Sequence, residues 1–128
     1  MPLVKIHLRK GRSEEYLRLV GEAIHQALVT AASAPQDGKL QIFHQLEPNE
    51  LIAHPSYGGA DRSSELIVVE VTLNAGRTVE VKRSLYRQMA RNLERAVSLR
   101  SDDLVVSLVE VAKEDWSFGK GLATYAQE

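Results

Sequence analysis

The sequence predicts an α+β sandwich: two β-α-β units forming a four-stranded mixed sheet, with two helices on one face. Two observations carry this. Stretches of strict two-residue alternation flank stretches of helical periodicity, and the whole order recurs 65 residues later, so that Val4 pairs with Val69, Leu8 with Leu73 and Ala31 with Ala96. At 128 residues the chain is one domain's length, enough to bury a core without disulfides.

The elements follow in order. "LVKIHLR" (3–9) alternates, with Val4, Ile6 and Leu8 on one face and Lys5, His7 and Arg9 on the other, as a strand with one buried side does. Next, Ser13 is an N-cap, Glu14 and Glu15 suit a helix's positive end, and Leu17, Val20, Ile24, Leu28 and Ala31 form an apolar stripe. Pro35 marks the stop and "KLQIFHQLEP" reads as a second strand. The second copy runs through strand "LIVVEVTLN", turn "AGRT", helix "VEVKRSLYRQMARNLERAV", loop "SLRSDD" and strand "LVVSLVEV". Residues 3–46 align with 68–111 without a gap, with Gly11/Gly76, Arg12/Arg77, Ser33/Ser98 and Asp37/Asp102 identical. Matching turns and caps, rather than identity alone, mark a duplication. The expected layout is repeat one at about 2–47, a loop at 48–64, repeat two at about 65–112 and a closing segment at 113–128.

Strands joined through a helix pair parallel with a right-handed crossover. Two helices cover only one face of such a sheet. The second unit's strands are apolar on both sides (Leu66 and Val68 with Ile67, Val69 and Val71), which calls for burial of the other face. Packing of the sheets of several subunits satisfies that need.

Composition removes several functions. Apolar residues make up 44% and charged residues 26%, as in an ordinary globular protein. Lys plus Arg (16) nearly balance Asp plus Glu (17), so no basic field favours nucleic acid. Without cysteine there is no disulfide, thiol nucleophile or thiolate metal site. No leader or long apolar run points to secretion or a membrane, so a cytoplasmic location is expected. His7, His25, His44 and His54 lack ligand spacing with a carboxylate, and "FGKGLAT" lacks the spacing of a phosphate loop, so neither metal nor cofactor is expected. Tyr57, in the loop, reads as a surface tyrosine.

Chemistry enters at the amino terminus. Carrying the first strand's alternation back by two puts Pro2 on the inward Val4–Ile6–Leu8 face. Removal of a methionine that precedes a small residue exposes Pro2 as a secondary amine. Burial and neighbouring arginines lower the pKa of a terminal amine from about 8, which suits a general base. A nearby carboxylate would instead hold it cationic and able to polarise a carbonyl. If a pseudo-twofold relates the units, their first strands run antiparallel, and Pro2 meets the "NAGRT" turn carrying Arg77. A guanidinium there can grip a carboxylate through two hydrogen bonds.

"MP", "IHLRKGRSEEY", its echo "TLNAGRTVEVKR" and "DWSFGKGLA" resemble the tautomerase superfamily, β-α-β proteins with a catalytic amino-terminal proline. The single unit is similar to 4-oxalocrotonate tautomerase. The doubled length with "RSDDLVVSLVE" and "DWSFG" is most similar to the malonate semialdehyde decarboxylase family. The resemblance implies a homotrimer, Pro2 as catalytic amine, Arg77 as substrate-binding arginine, and Trp116 and Phe118 as an apolar wall. Arg12 matches the small tautomerase's arginine or is a relic of the duplication. The family's aspartate in P-x-x-D-R-Y-Q falls at Gly38 of "PQDGKLQ", leaving Asp37, one step earlier, either to take the catalytic role or to be a plain loop carboxylate. Asn74 stands where the first of the decarboxylase family's paired arginines is expected, and Leu40 where the small tautomerase has its second arginine, so the resemblance implies a monocarboxylate substrate. The expected reaction is keto–enol tautomerisation of a phenylpyruvate-like oxo acid. The alternatives are decarboxylation or hydration of a 3-oxo acid, and a trimeric binding protein without catalysis.

Overall fold

The computed structural model describes residues 1–126; Gln127 and Glu128, the last positions of the expected 113–128 segment, lie outside the described residues. Strand β1 (Leu3–Arg9) leads to helix α1 (Glu14–Ala32) and strand β2 (Leu40–Leu46). Strand β3 (Ile67–Asn74), helix α2 (Val79–Val97) and strand β4 (Leu104–Val111) repeat that order. The sheet runs β2-β1-β3-β4, with β1 parallel to β2, β3 parallel to β4, and β1 antiparallel to β3 at the centre. Each β-α-β unit is therefore a parallel pair, and the pseudo-twofold passes between β1 and β3.

Local chemistry repeats with the chain. Ser13 and Thr78 cap the two helices, accepting from the amides of Tyr16 and Val81. Both helices end at a left-handed serine, Ser33 (φ 58°) and Ser98 (φ 56°), whose amides turn back to α1 and α2 carbonyls. Gly11 (φ 110°) and Gly76 (φ 121°) let each strand turn into its helix through a conformation that a side chain resists. The duplication also outruns the expected 3–46. The amides of Lys10 and Ala75 donate to Leu46 O and Val111 O. Short 3₁₀ turns at Pro48–Glu50 and Lys113–Asp115 are each closed by a carboxylate, Glu50 accepting from Glu47 N–H and Asp115 from Ala112 N–H. Positions 48–50, expected as plain loop, and 113–115 thus belong to the repeat.

Between sheet and helices lies the core. Val4, Ile6 and Leu8 of β1 and Ile67, Val69, Val71 and Leu73 of β3 are buried against Val20, Ile24, Ala27 and Leu28 of α1 and Leu85, Met89 and Leu93 of α2. Gly21 allows β2 to approach α1: a Cβ there would fall 2.5 Å from the Gln41 amide, which instead donates to Gly21 O at 2.8 Å. No element of the chain, among the described residues, covers the sheet's other face. That face mixes exposed Leu40, Ile42 and Val109 with a polar chain, in which Glu70 Oε1 lies 2.6 Å from His7 Nε2, and His7 Nδ1 lies 3.1 Å from His44 Nδ1.

Candidate active site

The antiparallel β1–β3 pair builds the site. Leu3 pairs with Thr72, and one further step sets Pro2 against Leu73, beside Asn74 at the end of β3. The chain then turns through Gly76, so Arg77 comes back over the start of β1. Pro2 is buried, as its alternation requires. Pro2, Arg77, Asn74, Ser33, Lys113 and Tyr125 line one pocket of about 270 Å³.

Arg77 is held rigidly. Nε and Nη2 donate to Ala32 O at 3.1 and 2.8 Å, and Nη1 donates to Asn74 O at 3.0 Å. These acceptors are backbone carbonyls, one of them at buried Ala32 in the last turn of α1, where helix carbonyls lack partners. Among the described residues no carboxylate contacts Arg77, so its charge remains available to an anion in the pocket. The amine of Met1, one residue ahead of Pro2, has its pKa lowered from the ordinary 8.0, first by burial and second by the Arg77 charge. Both effects disfavour the ammonium form.

The end of the chain supplies the outer wall. Trp116 and Phe118 stack at 4.9 Å, and Tyr125 meets Phe118 edge-on at 5.4 Å. They support lining residues from behind: the Trp116 indole N–H donates to Asn74 Oδ1 at 2.7 Å, and Phe118 carries Tyr125. Tyr125 Oη accepts from the Met1 amine at 2.7 Å. Left-handed backbone at Lys120 and Gly121 reverses the chain, and Thr124 closes the loop by donating to Trp116 O and accepting from Phe118 N–H.

Pro2 and Arg77 thus share the pocket, with Trp116 and Phe118 against it. Asp37 lies elsewhere, exposed in the turn after α1 and not among the residues lining the pocket. Arg12 is paired with Glu65 and lies over the Tyr16 ring. Reasoning from sequence missed Tyr125 and Lys113. The signal for Tyr125 was the Gly-Lys-Gly reversal, which returns the chain toward its own beginning.

Comparison with known proteins agrees with this geometry. The family described as tautomerase enzyme matches residues 38–119, and a second family of the same description matches residues 2–60. The probable tautomerase YusQ of Bacillus subtilis (strain 168) is 39% identical over 96% of this chain and 97% of its own length. A crystal structure of malonate semialdehyde decarboxylase is 32% identical, covers 96% of this chain and 95% of that chain, and superposes with a TM-score of 0.90. A fused 4-OT described as a symmetric trimer is 25% identical, with a TM-score of 0.78 over 98% of this chain and 99% of that one. A doubled β-α-β fold and this agreement along nearly the whole chain lead to one conclusion: the protein belongs to the tautomerase superfamily of enzymes.

Proposed function

We propose that the enzyme tautomerises a small oxo-monocarboxylic acid of the phenylpyruvate kind, with Pro2, freed by removal of Met1, as the base. The observation that carries this reading is the shared pocket of buried Pro2 and Arg77; burial and a neighbouring arginine, which lower the pKa of the Met1 amine one residue ahead, favour a neutral Pro2 amine by the same physics. The substrate carboxylate sits on Arg77. The Pro2 nitrogen takes a proton from the carbon next to the carbonyl; the C–H electron pair forms the C=C bond, and the carbonyl oxygen becomes an enolate. Tyr125, which lines the same pocket, is placed to protonate that oxygen, and ketonisation is the same path reversed. Trp116 and Phe118 hold Asn74 and Tyr125 in place and limit water.

The test is spectrophotometric. Mature protein, shown by mass spectrometry to start at Pro2, is assayed on enolised phenylpyruvate beside Pro2→Ala. General acid–base catalysis contributes about 10²–10⁴-fold, so the substitution lowers kcat/KM by about 10² or more. Retained Met1 in an active enzyme, or an unchanged rate in the variant, overturns the assignment.

A decarboxylase reading is favoured by the 0.90 superposition on malonate semialdehyde decarboxylase. It needs a cationic Pro2 with Asp37 as its partner. Titration of the amine separates the two readings: a lowered pKa supports the base, a raised one the cation. For assembly, we propose that the open sheet face, with Leu40, Ile42 and Val109 exposed, packs against two further copies as a homotrimer. Sedimentation velocity reads this directly.

A further inference from the structure

The two units carry two pockets. The second, about 250 Å³, is lined by Leu8, Arg9, Arg12, Pro48, Glu65 and Leu66 among others. Moving 65 residues along the chain converts Leu8 to Leu73, Arg9 to Asn74, Arg12 to Arg77 and Pro48 to Lys113, all of which line the Pro2 pocket. Leu66 takes the place of Met1 by the same step. Even the wall corresponds: Trp116 donates to Asn74 in one pocket, and Arg9 donates to Leu51 O at 2.7 Å in the other, Leu51 being the counterpart of Trp116. The second pocket is the pseudo-twofold image of the first.

Two things differ. Where the mature first pocket has the Pro2 amine, the second has the peptide nitrogen of its counterpart Ile67, which is not basic. Where Arg77 meets only carbonyls, Arg12 is engaged by the Glu65 carboxylate, with Tyr16 against its guanidinium at 4.5 Å. Glu65 lies one position ahead of Leu66, on the approach that is ahead of Met1 in the other pocket.

We infer that the first unit holds a second, non-catalytic pocket for small monocarboxylates, and that the chain's own Glu65 occupies the ligand's place on Arg12. This rests on the reading that Arg77 binds the substrate carboxylate. An arginine fork takes one carboxylate in its bidentate seat, so an external acid enters only when Glu65 leaves. A tethered carboxylate competes at high effective concentration. Wild-type protein therefore binds one acid per chain, and the enzyme does not sequester substrate where it cannot react. Glu65→Gln keeps the side chain's size, removes its charge and opens the pocket.

The experiment is a fluorine NMR titration of the full chain with 4-fluorophenylacetate, which has no oxo group to turn over. The wild type binds one molecule per chain, Glu65→Gln binds two, and Glu65→Gln with Arg12→Gln returns to one. Phenylpyruvate turnover per chain is unchanged in Glu65→Gln. Circular dichroism melting checks folding, and Glu65→Ala replaces Glu65→Gln should the latter fail to fold. A folded Glu65 variant that binds no more probe than the wild type overturns the inference. So does a wild type that already binds two, one of them lost on Arg12→Gln. If only the Arg77 reading is wrong, the pattern differs: the wild type binds none, and Glu65→Gln binds one that Arg12→Gln removes.

Discussion

On the proposed reading Arg77 has two jobs, anchoring backbone and holding substrate, that a pair of substitutions separates. Arg77→Ala removes the donor from two backbone carbonyls, Ala32 O at the end of α1 and Asn74 O at the end of β3. A hydrogen bond from a charged group contributes about 1.5–3 kcal/mol net. Arg77 is only half-buried, so water replaces part of each contact, and the lower end applies: about 2–3 kcal/mol for the two acceptors. For a chain of this length, at about 3 °C per kcal/mol, the melting midpoint falls by about 6–9 °C. The same change removes the proposed carboxylate clamp; a charge-assisted hydrogen bond contributes about 1.5–3 kcal/mol, so kcat/KM falls by about 10- to 100-fold or more. Arg77→Lys keeps the charge but not the planar fork, since one ammonium cannot reach both carbonyls with the same geometry. It melts close to Arg77→Ala yet recovers part of kcat/KM. The assays are calorimetry and phenylpyruvate ketonisation on the same preparations. Melting of Arg77→Ala within about 2 °C of wild type refutes the anchor, and a kcat/KM within about threefold refutes the clamp.

Further outcomes follow from other contacts. The Met1 amine's pKa is lowered from 8.0 by burial and then by Arg77; the Pro2 amine, set in the same pocket, is expected to be lowered by the same two causes, so that the neutral base appears below the usual range of a terminal amine. kcat/KM therefore rises along a limb lying under pH 8, and Arg77→Gln, which removes one lowering cause, moves that limb to higher pH. The same shift makes the folded state bind fewer protons than the unfolded one between the two pKa values; stability thus rises with pH up to about 8 and is flat beyond, as urea titrations would show. Asn74→Ala frees the indole of Trp116, the chain's single tryptophan. Its fluorescence shifts to the red and KM rises several-fold, with the melting temperature nearly unchanged. Asp103 is fully buried and accepts from Ser63 N–H at 2.6 Å and Ser63 Oγ–H at 2.7 Å. Asp103→Ala strands both donors and lowers unfolding free energy by about 2–4 kcal/mol in denaturant titration.

Much of the fold was legible because its causes are local. Alternation at Val4, Ile6 and Leu8 states which side of β1 is buried, and Ser13 and Thr78 state where the helices begin, whatever lies far along the chain. The site was legible to the extent that the duplication carried it. Equal units imply a pseudo-twofold, and a pseudo-twofold puts the start of β1 against the end of β3, which brings Pro2 to Arg77. Asp37 shows where the resemblance reached its limit: its place in the motif was readable, but its exposure on the turn depends on how the loop leaves α1.

Two identical arginines in identical turns show the division most sharply. By sequence, Arg12 and Arg77 are the same residue after the same glycine at the head of the same helix. Only the folded chain tells them apart. Arg12 meets Glu65, 53 residues away, while Arg77 lies across the end of α1 and lines one pocket with Pro2. Tyr125, far along the chain from Pro2, lines the same pocket for the same reason. Strands, helices and caps follow from neighbours within a few residues, whereas which arginine is free to hold a substrate follows from charges that sequence distance hides and packing brings together.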